Sequence, residues 1–285
     1  MHHKGTITIE GFDLAYRVEG KGSPVLVVGS ELYYPRLFSA EIKKHVQLVF
    51  IDHRGFAHAP TSDFPLESCS LERIVDDIEF MRAYLDLKDF VILGHSGHAF
   101  LAVAYAKKYP AHVRKVVVLN SAPTNNRDRQ QESFAFFEQD ASPERKRTFE
   151  TDMAKLKEDI EKEPERRFAH MCIRMGAHSF YDYAFDATAM WEGVETNMPI
   201  LDYLWGDVFA RMNLIEELVD FPKPVLIGLG RYDYLVGPVS LWDSLKENPP
   251  HLTKVIFERS GHNPMFEEAA LFDSILVKWI TERPE

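Results

Sequence analysis

The stretch FVILGHSGHAFLAVAYAKKYP, residues 90–110, decides the fold of this 285-residue chain. Its first residues are apolar and rich in β-branched side chains, which predicts a buried strand. A helical pattern begins near His98, and Pro110 would end that helix. Ser96 therefore occupies a tight turn between a strand and a helix. Such a turn lifts a serine hydroxyl clear of the sheet, beside a helix N-terminus that favours negative charge.

Apolar runs alternate with amphipathic ones on both sides of this turn. The segments TITIE and LAYRV predict an N-terminal hairpin, and amphipathic spacing predicts a helix over 70–85. Continuous apolar runs predict further buried strands at 24–29, 46–51, 115–120, 223–230 and 252–258. This alternation predicts an α/β fold with a mostly parallel central sheet and helices on both faces.

The alternation stops between residues 124 and 219. No clear strand is visible there, and charged helical sequence is followed by an aromatic-rich stretch. No Gly/Ser-rich or Pro-rich linker bounds this part, so we interpret it as a helical insertion and not as a separate domain. The prediction is a core domain of residues 1–123 and 220–285 and a helical insertion at 124–219.

Composition narrows the classes of partner. The formal net charge is −11 and no Lys/Arg cluster could follow a phosphate backbone, so neither nucleic acid nor a membrane surface is an expected partner. The start has no apolar export signal and no run of 18 apolar residues follows, so we expect a cytoplasmic protein. Cys69 and Cys172 lack metal-ligand spacing, so we expect reduced thiols and no metal. The sequence leaves the oligomeric state open.

Two downstream residues turn the serine into a candidate nucleophile. By itself Ser96 could simply cap the following helix, and serine attacks poorly unless a base and an orienting carboxylate assist it. Asp233 follows one predicted strand and His262 follows the next. Because side chains at the C-terminal ends of parallel strands converge, we predict that Ser96, Asp233 and His262 form a catalytic triad.

Other acids fit the role of Asp233 less well. Asp220 precedes its strand and would lie at the wrong end of the sheet, whereas Asp243 falls inside a helical stretch. Asn120 follows a suitable strand but is not an acid. His95 and His98 flank the serine, where we expect them to pack or hydrogen-bond locally. Asp52 and Arg54 are interpreted as residues that brace a loop.

Several motifs together resemble the α/β-hydrolase superfamily along the whole sheet portion. They are FIDHRGFAHAP (50–60), GHS at the serine, YAKKYPAHVRKVVVLN and SGHNPMFE. The resemblance implies a cofactor-free hydrolase that forms an acyl-enzyme, with the helical insertion as a cap over the active site. It also implies an oxyanion hole from the backbone amides of Gly97 and Ser30. The chain departs from the family pattern at His98, where glycine is usual, and at Val28, where relatives carry histidine.

Within the superfamily the chain most resembles the proline iminopeptidase group, through AMWEGVE at residues 189–195. This resemblance implies a serine aminopeptidase acting on short peptides or aminoacyl amides, with Trp191 and Glu192 as cap contacts. A cap carboxylate at Glu192 would receive the substrate ammonium. Glu31 and Glu195 are alternative acidic contacts, and Glu192 could equally be a solvated charge.

Two further functions remain open from the sequence. One is a carboxylesterase, lactonase or carbon–carbon bond hydrolase acting on a small acyl substrate, which would share the triad and differ in the cap. The other is a ligand-binding protein that keeps the hydrolase scaffold and turns over slowly.

Overall fold

An eight-stranded sheet forms the centre of the computed structural model, which describes residues 3–58, 64–245 and 249–282. The strands are β1 (His3–Ile9), β2 (Phe12–Gly20), β3 (Ser23–Gly29), β4 (Val46–Asp52), β5 (Phe90–His95), β6 (Val113–Leu119), β7 (Val225–Gly230) and β8 (Leu252–Phe257). Their order is β1-β2-β4-β3-β5-β6-β7-β8. β2 pairs antiparallel with β1 and β4, and all other pairs are parallel. The predicted α/β fold with a mostly parallel sheet is confirmed.

Alternate side chains of the central strands feed two separate hydrophobic cores. Leu26 and Val28 of β3 pack in the core that holds α1 (Leu71–Tyr84) and α2 (His98–Lys108). Val25 and Val27 pack in the opposite core, which holds α10 (Ala269–Thr281). Since both faces of these strands are buried, the sequence needs continuous apolar runs there and not an alternation with polar residues.

The chain between β6 and β7, residues 120–224, is entirely described and contains helices but no strand. We call it the β6–β7 segment. Its α-helices are α3 (Arg127–Asp140), α4 (Pro143–Lys162), α5 (Arg167–Arg174), α6 (Gly176–Ser179), α7 (Met198–Tyr203) and α8 (Leu214–Leu218), with a π-helical turn at Leu204–Val208. A short helix α9 (Pro264–Glu267) precedes α10. None of the helices in the described residues is both long and apolar enough to cross a membrane.

Arg54 braces the loop after β4. Its side chain is fully buried, and Nε and Nη2 donate to the two carboxylate oxygens of Asp77 at 2.6 and 2.9 Å. Nη1 donates to the carbonyl oxygen of Ser68 at 2.7 Å. The guanidinium also lies over the ring of Phe12, 4.7 Å from its centre. These contacts give Arg54 a structural role away from the chemistry.

Arg54→Met should lower the free energy of unfolding by about 3–5 kcal/mol, because it leaves Asp77 charged and buried without its partner. Urea denaturation followed by circular dichroism would measure the loss. The double variant Arg54→Met/Asp77→Leu should recover most of it. The half-exposed Arg73, which pairs with Glu10, is the matched control, and Arg73→Met should cost less than about 1 kcal/mol. Equal costs for Arg54→Met and Arg73→Met would contradict the bracing role.

Candidate active site

Ser96 occupies a strained turn at the C-terminal end of β5. Its φ is +57°, in the left-handed region that non-glycine residues rarely adopt. The turn is tight because α2 begins only two residues later. A Cβ on Gly94 would lie 2.5 Å from the Cα of Ala99, so only glycine allows α2 to pass this close to β5. The strand–turn–helix arrangement expected from GHSGH is therefore present.

His262 and Asp233 form a buried hydrogen-bonded pair beyond the ends of β8 and β7. Nδ1 of His262 lies 2.7 Å from Oδ2 of Asp233, whose exposure is 1%. Asn120 Nδ2 donates to the same oxygen at 2.8 Å, and the amides of Leu235 and Val236 donate to Oδ1 at 3.1 and 3.4 Å. Both carboxylate oxygens of Asp233 therefore accept two hydrogen bonds each, and Asp233 holds the proton of His262 on Nδ1. Nε2 of His262 is then free to accept a proton.

Ser96, Gly97 and His262 line one cavity of about 220 Å³. Most of its wall is apolar or aromatic, and the β6–β7 segment supplies much of it, including Phe168, Phe180 and Trp205. The Ser96 hydroxyl has no hydrogen-bond partner among the residues described. The cavity thus brings a free hydroxyl, an oriented imidazole and an apolar surface together.

The two predicted oxyanion donors differ in position. Gly97 lines the cavity directly beneath Trp205, whose indole would collide with any Cβ at position 97. Ser30 is buried but does not contribute to the cavity wall. Its Oγ accepts hydrogen bonds from the amides of Leu32 and Tyr33 at 3.3 and 3.2 Å, which shapes the loop after β3.

The structure places the two predicted cap contacts, Trp191 and Glu192, in different environments. Trp191 is buried in the cavity wall and packs against Tyr33, with the rings tilted by 32° and their centres 4.4 Å apart. Glu192, in contrast, is exposed and does not line the cavity, and only its carbonyl oxygen is bound, by Arg36. The physical reason is the 3₁₀ turn Thr188–Met190, which ends at Trp191: successive side chains of such a turn point about 120° apart, so that Trp191 points inward and Glu192 outward.

Glu31 does not line the cavity either. Its carboxylate pairs with Arg17 at 2.9 Å, and its backbone amide donates to Asp52 at 2.7 Å. The family resemblance implies an acidic side chain that receives a substrate ammonium. The described part of the cavity wall contains no carboxylate that could do so.

A buried chain of hydrogen bonds explains why His98 replaces the usual glycine. The amide of Gly55 donates to Nδ1 of His53 at 3.0 Å, so His53 must carry its proton on Nε2. That proton goes to Nε2 of His98, 3.1 Å away. Nδ1 of His98 then donates to the hydroxyl of Tyr34 at 2.8 Å.

The chain continues to the backbone of the proposed base. The Tyr34 hydroxyl donates to Nδ1 of His95 at 3.2 Å, and Nε2 of His95 donates to the carbonyl oxygen of His262 at 2.7 Å. The Tyr34 proton goes to Nδ1 of His95 because its alternative acceptor, the carbonyl oxygen of His95, is farther away at 3.5 Å. With an amide donating at one end and a carbonyl accepting at the other, all three imidazoles are then neutral, each with one tautomer. Burial agrees with this assignment: it lowers the pKa of His53 to about 3 and those of His95 and His98 well below the usual range.

Glu267, which sequence reasoning did not assign, holds the loop that carries His262. Its Oε1 accepts from the amides of Gly261 and Asn263 at 3.0 Å each, on both sides of His262. Its Oε2 accepts from the amide of Tyr181 in the β6–β7 segment at 2.6 Å. Burial raises the pKa of Glu267 from 4.5 to about 7. The only signal in the sequence was its place in SGHNPMFE.

The pKa of Glu267 predicts a pH dependence of stability. Because the pKa is higher in the folded state, Glu267 is protonated in both states below about pH 4.5, and its burial then costs no free energy. Above about pH 7 it is charged in both states, and the folded state bears the full free-energy cost of the buried charge. The free energy of unfolding should therefore fall across this window by on the order of 3 kcal/mol. Glu267→Gln removes this contribution, so its stability relative to wild type should rise from pH 5 to pH 8.

Urea denaturation at pH 5, 6, 7 and 8 would test this dependence. The exposed Glu161→Gln serves as the control and should run parallel to wild type throughout. A Glu267→Gln profile that is also parallel to wild type would show that Glu267 does not titrate in this range.

Comparison with known proteins identifies the family to which the chain belongs. Residues 28–269 match the model of a family described as having the alpha/beta hydrolase fold. The chain belongs to the α/β-hydrolase family. This confirms the superfamily resemblance and the prediction that the protein is an enzyme of the hydrolase class.

Individual relatives agree with this membership. The chain is 55% identical over 282 residues to AB hydrolase superfamily protein YclE of Bacillus subtilis, covering 99% of this chain and 100% of the relative. It is 27% identical over 245 residues to proline iminopeptidase PfmaB of Pestalotiopsis fici, covering 81% and 83%. An alpha/beta fold family hydrolase of Bacillus anthracis superposes with a TM-score of 0.71 at 18% identity, covering 98% and 99%, which shows the shared fold.

Proposed function

We propose that this α/β hydrolase is a serine hydrolase that acts through an acyl-enzyme on small esters or lactones with an apolar body. The observation that carries the proposal is that Ser96, in its strained turn, and His262, which is hydrogen-bonded to Asp233, line the same largely apolar cavity. The β6–β7 segment, which supplies much of the cavity wall, would serve as the cap.

In the proposed reaction His262 Nε2 takes the proton of Ser96 as Oγ attacks the substrate carbonyl carbon. The carbonyl oxygen becomes an oxyanion, which the amide of Gly97 in the cavity wall would stabilise. When the bond to the leaving group breaks, His262 returns the proton to that group. Water then attacks the acyl-enzyme with His262 again as base, releasing the acid and restoring Ser96.

The charge of the cavity wall favours a substrate without an ammonium group. Asp and Glu are absent from the residues described as lining it, and His95 and His98 are held neutral. A bare ammonium would lose its hydration there without a carboxylate partner. An ester or lactone with an apolar body meets no such cost.

An aminopeptidase of the proline iminopeptidase type is the second candidate. It is favoured by the segment Trp191-Glu192-Gly193 and by the similarity to a relative of that name over most of both chains. It would require Glu192, which is exposed, to turn into the cavity when substrate binds.

Steady-state hydrolysis of 4-nitrophenyl butyrate, proline 4-nitroanilide and alanine 4-nitroanilide would separate the two candidates. We expect turnover of the ester and, for the anilides, rates near that of Ser96→Ala. Glu192→Gln should leave ester hydrolysis within about twofold of wild type, because an exposed side chain away from the cavity contributes little.

The reverse pattern would establish the aminopeptidase. Efficient anilide turnover that is lost when the substrate amine is acetylated, and reduced in Glu192→Gln, would require the cap carboxylate as ammonium anchor. It would then overturn the ester proposal.

A further inference from the structure

Arg129, on the first turn of α3, lines the active-site cavity and is 9% exposed. Nη1 donates to Ser133 Oγ at 3.1 Å and to the carbonyl oxygen of Leu235 at 2.9 Å, and Nη2 donates to Asn125 Oδ1. These bonds use three of the five N–H groups of a guanidinium. The buried Nε–H has no acceptor in the described structure. A buried donor is therefore left unsatisfied, and a positive charge lies in the cavity wall without a bonded anion.

Another buried arginine of the β6–β7 segment shows the difference. Arg145 is 6% exposed, and its guanidinium donates to the carbonyl oxygens of Ala177, Phe180 and Tyr181 at 2.7–2.8 Å. It does not line the cavity. Arg145 also makes three hydrogen bonds, but its guanidinium lies over the rings of Tyr183 and Tyr234, 5.0 and 5.3 Å from their centres, and away from the cavity, whereas the charge of Arg129 lies in the cavity wall.

The charge of Arg129 also lacks an ion-pair partner. Arg129 takes part in none of the salt bridges of the described residues. Asp233 stabilises the charge from a distance, but its carboxylate is occupied by His262, Asn120 and two backbone amides. Burial lowers the pKa of Arg129, which reflects the cost of this isolated charge. Arg129 is the one permanently charged side chain that we find in the described cavity wall.

We propose that Arg129 binds a carboxylate group of the substrate, so that the enzyme prefers esters or lactones that carry a carboxylate in their acyl or alcohol part. This rests on the proposed ester-hydrolase function of Ser96. A carboxylate in the cavity would supply the missing negative charge and an acceptor for the second N–H of Nη2, which the three bonds leave unused, and charged donors bind charged acceptors more strongly than neutral ones. One guanidinium, with no second cation beside it in the described wall, suits a monoanion.

Two pairs of esters test the preference and locate the anion. In the first pair the acyl part differs: 4-nitrophenyl hydrogen adipate against 4-nitrophenyl methyl adipate. In the second pair the alcohol part differs: 4-acetoxybenzoate against methyl 4-acetoxybenzoate. The kcat and KM of each would be measured for wild type, Arg129→Met and Arg129→Lys. Arg127→Met, an exposed change on the same helix, is the matched control.

Wild type should favour the anionic member of at least one pair by about 10- to 100-fold in kcat/KM, the strength of a hydrogen bond to a charged group. The preference should lie mainly in KM. It should vanish in Arg129→Met, be partly restored in Arg129→Lys, and persist in Arg127→Met. The pair that shows the preference identifies the part of the substrate that carries the carboxylate.

Binding measurements keep this proposal separate from the proposed chemistry. Calorimetric titration of Ser96→Ala with monomethyl adipate and with dimethyl adipate needs no turnover, and the monoanion should bind at least about tenfold more tightly. Equal binding, together with no preference in either ester pair of wild type, would overturn the proposal even if Arg129→Met fails to fold. Tight monoanion binding with no hydrolysis of any ester would support the carboxylate site and reject the ester-hydrolase function.

Discussion

Ser96→Ala is expected to lower kcat on 4-nitrophenyl butyrate by on the order of a million-fold, the size of effect seen when the nucleophile of a serine hydrolase is removed. Among the described hydroxyl residues that line the cavity with His262, Ser96 is the one in a strained strand–helix turn. Without Oγ no acyl-enzyme can form, and only binding and oxyanion stabilisation remain.

Alanine is a suitable replacement because it leaves the backbone strain at position 96 unchanged. Both serine and alanine carry a Cβ, so both experience the same strain at φ +57°, and the fold should keep its stability. Ser274→Ala, an exposed change on α10, is the matched control and should retain full activity. Trapping of the acyl group on wild type by mass spectrometry, at a peptide containing Ser96, would identify the attacked residue directly. Wild-type rates in Ser96→Ala would end the serine mechanism.

Asp233→Asn is expected to lower kcat by about 10⁴-fold while the protein stays folded. The reason lies in the hydrogen bonds around the side chain. Oδ1 accepts from the amides of Leu235 and Val236, so the amide oxygen of an asparagine would take that place. Its NH₂ group would then face His262, whose Nδ1 would have to accept. The proton of His262 would move to Nε2, where it blocks removal of the proton from Ser96.

Rapid-mixing measurement of the acylation step, with the free energy of unfolding as a second readout, would test this tautomer argument. Asp140→Asn provides a matched control, because Asp140 accepts from Tyr234 at 2.6 Å but does not line the cavity. It should keep kcat within about threefold of wild type. A comparable loss in both variants would mean that Asp233 acts only through stability, and full activity in Asp233→Asn would remove it from the triad.

Periodicity and turn chemistry were sufficient to predict the sheet and the placement of the candidate triad. The strand runs, the GHSGH turn and the order of Ser96, Asp233 and His262 depend on neighbours close in sequence and on the rule that parallel strands end at one edge. The helical character of the β6–β7 segment followed from the same patterns. Local sequence could not tell which side chains of that segment face the cavity.

Trp191 and Glu192 illustrate the difference. Both belong to one short motif, yet Trp191 lines the cavity and Glu192 is exposed, because successive side chains of a 3₁₀ turn point about 120° apart. In the sequence Arg129 looks like one of several exposed charges on a polar helix, but in the structure it is buried at the cavity wall. Tyr34, His53 and His98 lie far apart in the chain, and only their packing makes them one hydrogen-bonded chain.

By itself, then, the sequence determined the α/β-hydrolase fold, the family and the candidate catalytic residues, because these depend on local patterns that each element carries within itself. The tertiary structure alone decided the charge of the cavity, the neutral state of its histidines and the exposure of Glu192. These properties depend on burial and on contacts between distant segments, which set the cost of a charge and the direction of each hydrogen bond.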